Sequence, residues 1–223
     1  MNITLPDGSI RELELGSTGL DLASSIGAGL AKAALAVTVN GIQKDLNDPI
    51  KEDSKVSIIT IDSDDGLEIM RHTLTAQVLA RAVKNLFPGT KLAIGPTITD
   101  GFYYDFEFKK PISPEDLDSI EKEMKKIISS NSVITKQINT KKEAIEIFNK
   151  EGELYKESII NDSEQADGFQ LYYQDDSKFV DLCRGPHIPS LKHIGAFKLL
   201  KIAGAYWKGN SDNKMLTRIY GTA

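Results

Sequence analysis

Cys183 and His187 stand four residues apart in the run Asp181-Leu182-Cys183-Arg184-Gly185-Pro186-His187, which holds the chain's one cysteine and one of its three histidines. Such a pair can face a common point from a loop or a helical turn, as metal ligation or activation of a thiolate requires. The spacing is equally compatible with an inert thiol packed as a small apolar group. Arg184, Gly185 and Pro186 favour a site, because they make a stiff turn that presents side chains. A second histidine, His72, lies in the apolar stretch from Leu67 to Phe87. At helical spacing it shares a face with Thr75, Ala76, Leu79 and Val83, while Met70, Leu74 and Val78 cover the other side. Both faces are apolar, so a buried helix is expected, with His72 directed inward either as a hydrogen-bonded core residue or as a site residue. A two-histidine metal grip needs its partner at i+4. That position is Ala76, and Gln77 falls roughly 140° away from His72 in a regular helix. Lys156 reads as a surface lysine on composition alone. Phe102-Tyr103-Tyr104 and Ala205-Tyr206-Trp207-Lys208 suit either a core or a pocket for a base or sugar.

The elements that must position these residues form two parts, and the fold class is α+β. Residues 2 to 10 read as strand, Pro6-Asp7-Gly8 turn and strand. Gly19 opens an Ala-rich helix, Leu35 to Val39 alternates as a strand, and Asn40-Gly41 is a two-residue hairpin signal because both residues accept positive φ. Val56 to Ile61 completes a small ubiquitin-like β-grasp domain, placed at residues 1–62. The acidic run at residues 63–66 is the linker, with carboxylates also suited to the start of the next helix. Residues 67–223 form a larger α+β domain, an antiparallel sheet packed with helices. Within it, Ser113-Pro114-Glu115-Asp116 is a helix start with Ser as N-cap. Leu117, Ile120, Met124, Ile127 and Ile128 then mark one buried face. Thr140-Lys141-Lys142-Glu143 repeats the capping box, and short strands and turns are expected over most of the remainder.

Composition narrows the classes of function. Hydrophobic residues at 40% and charged residues at 26% suit a soluble globular chain. A net charge of −5 argues against nucleic-acid binding by bulk electrostatics, though not against a local basic groove. One cysteine cannot form an internal disulfide, the start has no signal-peptide pattern, and no apolar run approaches 18 residues. A cytoplasmic location is expected.

In order along the whole chain, these motifs resemble the amino-terminal half of bacterial threonyl-tRNA synthetases. The first domain, from MNITLPDGS through Asn40-Gly41, looks like a TGS domain. Arg71-His72, Lys91 to Pro96, Gly101 to Asp105, Asp181 to His187, Gly204 to Gly209 and Asn213 to Ala223 carry the likeness to the editing domain that follows it. The resemblance implies hydrolysis of mischarged seryl-tRNA(Thr), and it stops where the family's aminoacylation domain begins. The ATP, Mg and Zn used by that later domain are therefore not expected here. A methyl group yields only about 1 to 3 kcal/mol of discrimination, so a second sieve admitting serine makes physical sense. By resemblance, His72 and Lys156 position the attacking water, and Cys183 and His187 shape the site near the terminal adenosine. Tyr104, Asp181 and Arg184 join the substrate-binding set with Gln77. In the family's helix two histidines are separated by three residues. Here one extra residue is present and Gln77 takes the second histidine's place, which predicts a π-bulge that swings Gln77 toward His72. Gln can hold a water but cannot accept a proton near pH 7. Weakened editing, or a non-catalytic acceptor-stem binding module, is the alternative. Metal binding competes for the same cluster: alanyl-type editing domains hold zinc with four such ligands. Only three remain here, and the threonyl branch implies no metal. The chain by itself is expected to be a monomer, with tRNA(Thr) as its partner and a homodimer for the full-length family.

Overall fold

A computed structural model describes residues 1–223. The chain divides into two compact units: residues 1–70 with 185–193, and residues 71–184 with 194–223.

The first unit is built on a five-stranded sheet in the order β2-β1-β5-β3-β4. Its strands are β1 (Asn2–Thr4), β2 (Ile10–Glu12), β3 (Ala34–Val39), β4 (Ile42–Asp45) and β5 (Ser54–Thr60). β1 and β5 run parallel and every other pairing is antiparallel, the mixed pattern of a β-grasp sheet. Both turns follow from their residues. Gly8 takes φ 83°, and Asn40 and Gly41 take φ 51° and 83°, the positive values that a two-residue hairpin requires. α1 (Gly19–Ile26) starts from Thr18, whose side chain caps the Asp21 amide while the Asp21 carboxylate returns to the Thr18 amide. Gly27 interrupts the Ala-rich stretch, so a second short helix, α2 (Ala28–Ala33), follows. The core joins Ile3, Leu22, Val37, Ile50 and Val56. β3 departs from the alternation expected of it. Ala34 to Val37 are all buried, because the strand lies inside the sheet with little surface on either face.

α3 (Asp64–Thr73) begins within the acidic run, which places Asp64 and Asp65 in its first turn, where carboxylates favour the helix dipole. The helix continues through a π segment, Leu74–Leu79, into α4 (Ala80–Leu86).

The second unit has two antiparallel sheets. One follows the order β12-β13-β8-β6, with β7 also on β8: β6 (Lys91–Leu92), β7 (Thr97–Ile98), β8 (Gly101–Glu107), β12 (Lys198–Tyr206) and β13 (Met215–Thr222). The other, β11-β10-β9, comprises β9 (Ile134–Thr140), β10 (Asp167–Gln174) and β11 (Val180–Leu182). β10, β12 and β13, at eight to nine residues, are longer than the short strands the sequence suggested. β8 and β13 are locked by Asp105 and Arg218, direct register partners that form a two-pronged ion pair at 2.7 and 2.8 Å. α5 (Asp116–Ser129) buries Leu117, Ile120, Met124 and Ile127 as patterned. It starts later than the Ser113 signal implied. Pro114 and Glu115 form a turn, and Ser113 bonds Asp116 through its amide and hydroxyl. α6 (Lys141–Glu151) carries the Thr140–Glu143 capping box and ends on Gly152 in the left-handed region. α7 (Leu154–Asp162) is a helix where none was expected, and it carries Lys156.

Candidate functional site

In the second unit, His72, Lys156, Asp181, Tyr104 and Cys183 come from four elements, and each is fixed by a local device. α7 is anchored at its N-cap by Glu153, which is 2% exposed. The Glu153 carboxylate accepts from the Lys84 ammonium of α4 and from the Leu92 amide of β6, the latter at 2.7 Å. That anchor sets Lys156 one turn along. Lys156 is buried and pairs with the buried Asp181 carboxylate at 2.6 Å. Asp181 is fully engaged. Its Oδ1 also accepts from the Leu182 amide at 2.8 Å, and its Oδ2 from the Tyr104 hydroxyl at 3.0 Å. Burial raises the Asp181 carboxyl above its ordinary value, against the pull of Lys156 and the Tyr104 hydroxyl. Burial, followed by the Asp181 charge, holds the Tyr104 phenol well above its usual range, so it remains a donor. Its ring stacks on Phe106 at 4.7 Å, with the Lys156 ammonium 5.4 Å from its centroid. Gly95 makes that placement possible: a Cβ there would lie 2.1 Å from the ring.

His72 Nε2 meets Cys183 Sγ at 2.6 Å, with the donor set by the tautomer. Burial, then the nearby Lys156 charge, lowers the His72 pKa to about 4, so the imidazole is neutral at pH 7. Cys183 is half-buried, and its amide donates to the Gln170 carbonyl at 3.2 Å. His72 and Cys183 thus bring an imidazole nitrogen and a thiol sulfur into contact.

Of the remaining predicted residues, Arg184 is exposed. His187 belongs to the first unit, where it is buried and its amide donates to the Asp45 carboxylate at 2.8 Å. This differs from the presented side chain expected of the Arg184-Gly185-Pro186 turn. Gln77 lies in the π segment, where the Ala80 amide reaches the Thr75 carbonyl five residues back. The π turn rotates position 77 back by roughly 100° toward the His72 direction. The Gln77 side chain is fully buried, with Oε1 accepting from Gln174 Nε2 at 3.2 Å and its own Nε2 unpartnered.

Sequence reasoning missed Glu153, Gln174, Arg81 and Asp176. The Arg81 guanidinium donates to Gln174 Oε1 at 2.6 Å and grips Asp176 at 2.7 and 3.1 Å. Each bond spans a long stretch of sequence, so no local pattern marks it.

Residues 1–60 match the TGS domain, and residues 170–220 match the threonyl and alanyl tRNA synthetase second additional domain. The chain therefore joins a TGS domain to a threonyl and alanyl tRNA synthetase second additional domain. It is 50% identical over 222 residues to the threonine–tRNA ligase of Aromatoleum aromaticum, covering 100% of this chain and 34% of that protein. Against the threonine–tRNA ligase of Pelobacter propionicus it is 51% identical over 223 residues, with 100% and 34% covered. Against that of Rhizobium rhizogenes it is 48% identical over 224 residues, with 100% and 33% covered. The chain is similar to the amino-terminal region of threonine–tRNA ligases. It spans about a third of the length of the curated relatives it matches. No helix is long and apolar enough to cross a membrane.

Proposed function

We propose that residues 67–223 act as an editing domain that hydrolyses the ester of seryl-tRNA(Thr), with residues 1–62 as the TGS domain and residues 63–66 as the joint. The observation that carries this reading is the buried charge cluster of Lys156, Asp181 and Tyr104 in the same unit as the His72–Cys183 contact. Ester hydrolysis needs a held water, a group to receive its proton and positive charge where the carbonyl oxygen gains negative charge. A neutral His72 serves the water. Lys156, which meets the Asp181 carboxylate at 2.6 Å, supplies charge. The water oxygen bonds to the carbonyl carbon as His72 receives one of its protons, the bond to the ribose oxygen breaks, and that oxygen takes the proton and becomes the ribose hydroxyl while serine departs. Tyr104 and Asp181 contribute to recognition of serine's amine or hydroxyl, and Arg184, exposed beside the pocket, to the tRNA.

Release of serine from seryl-tRNA(Thr) tests the reading, with His72→Ala and Lys156→Ala beside the parent chain. Loss of about 100-fold or more in either variant supports the assignment; turnover indifferent to both changes refutes it. The reaction as proposed uses side chains alone, so prior treatment with a chelator leaves the rate unchanged. One observation favours a second reading, a module that binds tRNA without catalysis: Gln77, which accepts no proton near pH 7, is buried and bonded at the position implied for a histidine. Tight tRNA(Thr) binding without turnover would select it.

A further inference from the structure

A π turn displaces the helix's own ladder by one residue, and it persists only where the surroundings satisfy the backbone groups it unsettles. Here the outside partner is specific. Gln174 Nε2 donates to the Gln77 carbonyl at 2.7 Å and to the Gln77 Oε1 at 3.2 Å. Gln174 is itself 1% exposed and held from its other end by Arg81, four residues beyond Gln77 on the same helix, with Asp176 gripping Arg81 in turn. The strand that carries Gln174 is the one that pairs with β11. Its Tyr172 is the register partner of Asp181, and its Gln170 carbonyl receives the Cys183 amide. One buried amide thus joins the helix that bears His72 to the strand pair that bears Asp181 and Cys183.

We infer that Gln174 is a positioning residue: by clamping the Gln77 carbonyl it holds the π turn, and so sets the distance and direction of His72 relative to Cys183 and Asp181. The inference rests on the hydrolase reading for its kinetic consequence and on the backbone alone for its structural one. Two variants test it in the full chain. Gln174→Leu removes both bonds. Gln174→Glu keeps the size and the partner of Arg81 but leaves an acceptor facing a carbonyl, since a carboxylate cannot donate. Both are expected to lower kcat for serine release by about 10- to 100-fold while KM stays within about twofold, because misplaced reacting groups slow chemistry more than binding. Amide hydrogen exchange at Ala80, whose N–H closes the π turn, is expected to accelerate by about tenfold or more. If Gln174→Leu does not fold, Gln174→Glu decides alone. Parent-like kcat and unchanged Ala80 protection in Gln174→Glu overturn the proposal. Should the parent chain release no serine, the hydrolase reading falls, and the exchange rates at Ala80 still decide whether Gln174 clamps the turn.

Discussion

Asp181 and Gln77 are both fully buried polar residues of the same unit, yet their surroundings treat them in opposite ways. Asp181 has three donors converging on its two oxygens, from Lys156, the Leu182 amide and the Tyr104 hydroxyl. Gln77 has one partner, and its own amide group is left without an acceptor. A buried donor left unmade costs on the order of 1 to 3 kcal/mol, whereas a satisfied network rigidifies its site. The difference teaches where the site is over-determined and where it is held open. The strand side is a fixed electrostatic wall. On the helix side one buried hydrogen bond stays unmade.

The comparison is broken most severely by removing the cation. Lys156→Ala leaves Asp181 buried and unpaired and should destabilise the fold by about 3 to 5 kcal/mol, read from urea unfolding. A loss below about 1 kcal/mol would show that Tyr104 and the Leu182 amide suffice. Tyr104→Phe removes a single donor while keeping the ring, and about 1 to 3 kcal/mol is expected in the same assay. Gln77→Leu should come next and behave differently. It deletes the orphan donor together with one weak bond, so stability is expected to stay within about 1 kcal/mol of the parent or to rise. A larger loss would mean that Gln77 is satisfied after all and that the contrast with Asp181 is false.

The smallest expected effect is a flat pH profile. His72 is depressed in the folded state, from 6.5 to about 4, so the unfolded chain binds its proton first as pH falls. Stability linked to His72 is therefore complete above 6.5 and is lost progressively as pH drops toward 4. Serine release that depends on neutral His72 should hold constant from about pH 8 to about pH 5, where an ordinary histidine would already have titrated. A midpoint near 6.5 would place His72 in water rather than in the wall.

Much of the architecture was legible because its causes are local. Asn40-Gly41 and Thr140-Lys141-Lys142-Glu143 name their turn and cap through backbone needs that only a few residue types meet. The family likeness, by placing Gln77 one residue late for a second histidine, led to the expectation of a π turn, and the helix has one at Leu74–Leu79. α7 was not legible. Lys156 and Glu157 interrupt its apolar pattern, and what makes Lys156 an interior residue is Asp181, 25 positions away in sequence. The same reason hid Glu153, Gln174 and Arg81. Their partners lie on strands and helices whose neighbours are chosen by the fold, so the side chains read as ordinary solvated groups until the sheet is assembled. The TGS and editing likeness carried the site list where spacing could not. It did not indicate that the segment around His187 would settle against Asp45 in the first unit.

Gly95 offers a way to watch the wall directly. Its bare Cα lies so close to Tyr104 that a methyl there would penetrate the ring edge, and Phe106 closes one face. An aromatic ring must sweep out extra volume to turn over about its long axis, and this one has none to borrow. The two edges of Tyr104 should therefore remain inequivalent on the nuclear magnetic resonance timescale, giving four separate ring signals where a mobile tyrosine gives two. An isotope label at that single ring would report any loosening of the cluster without altering any side chain.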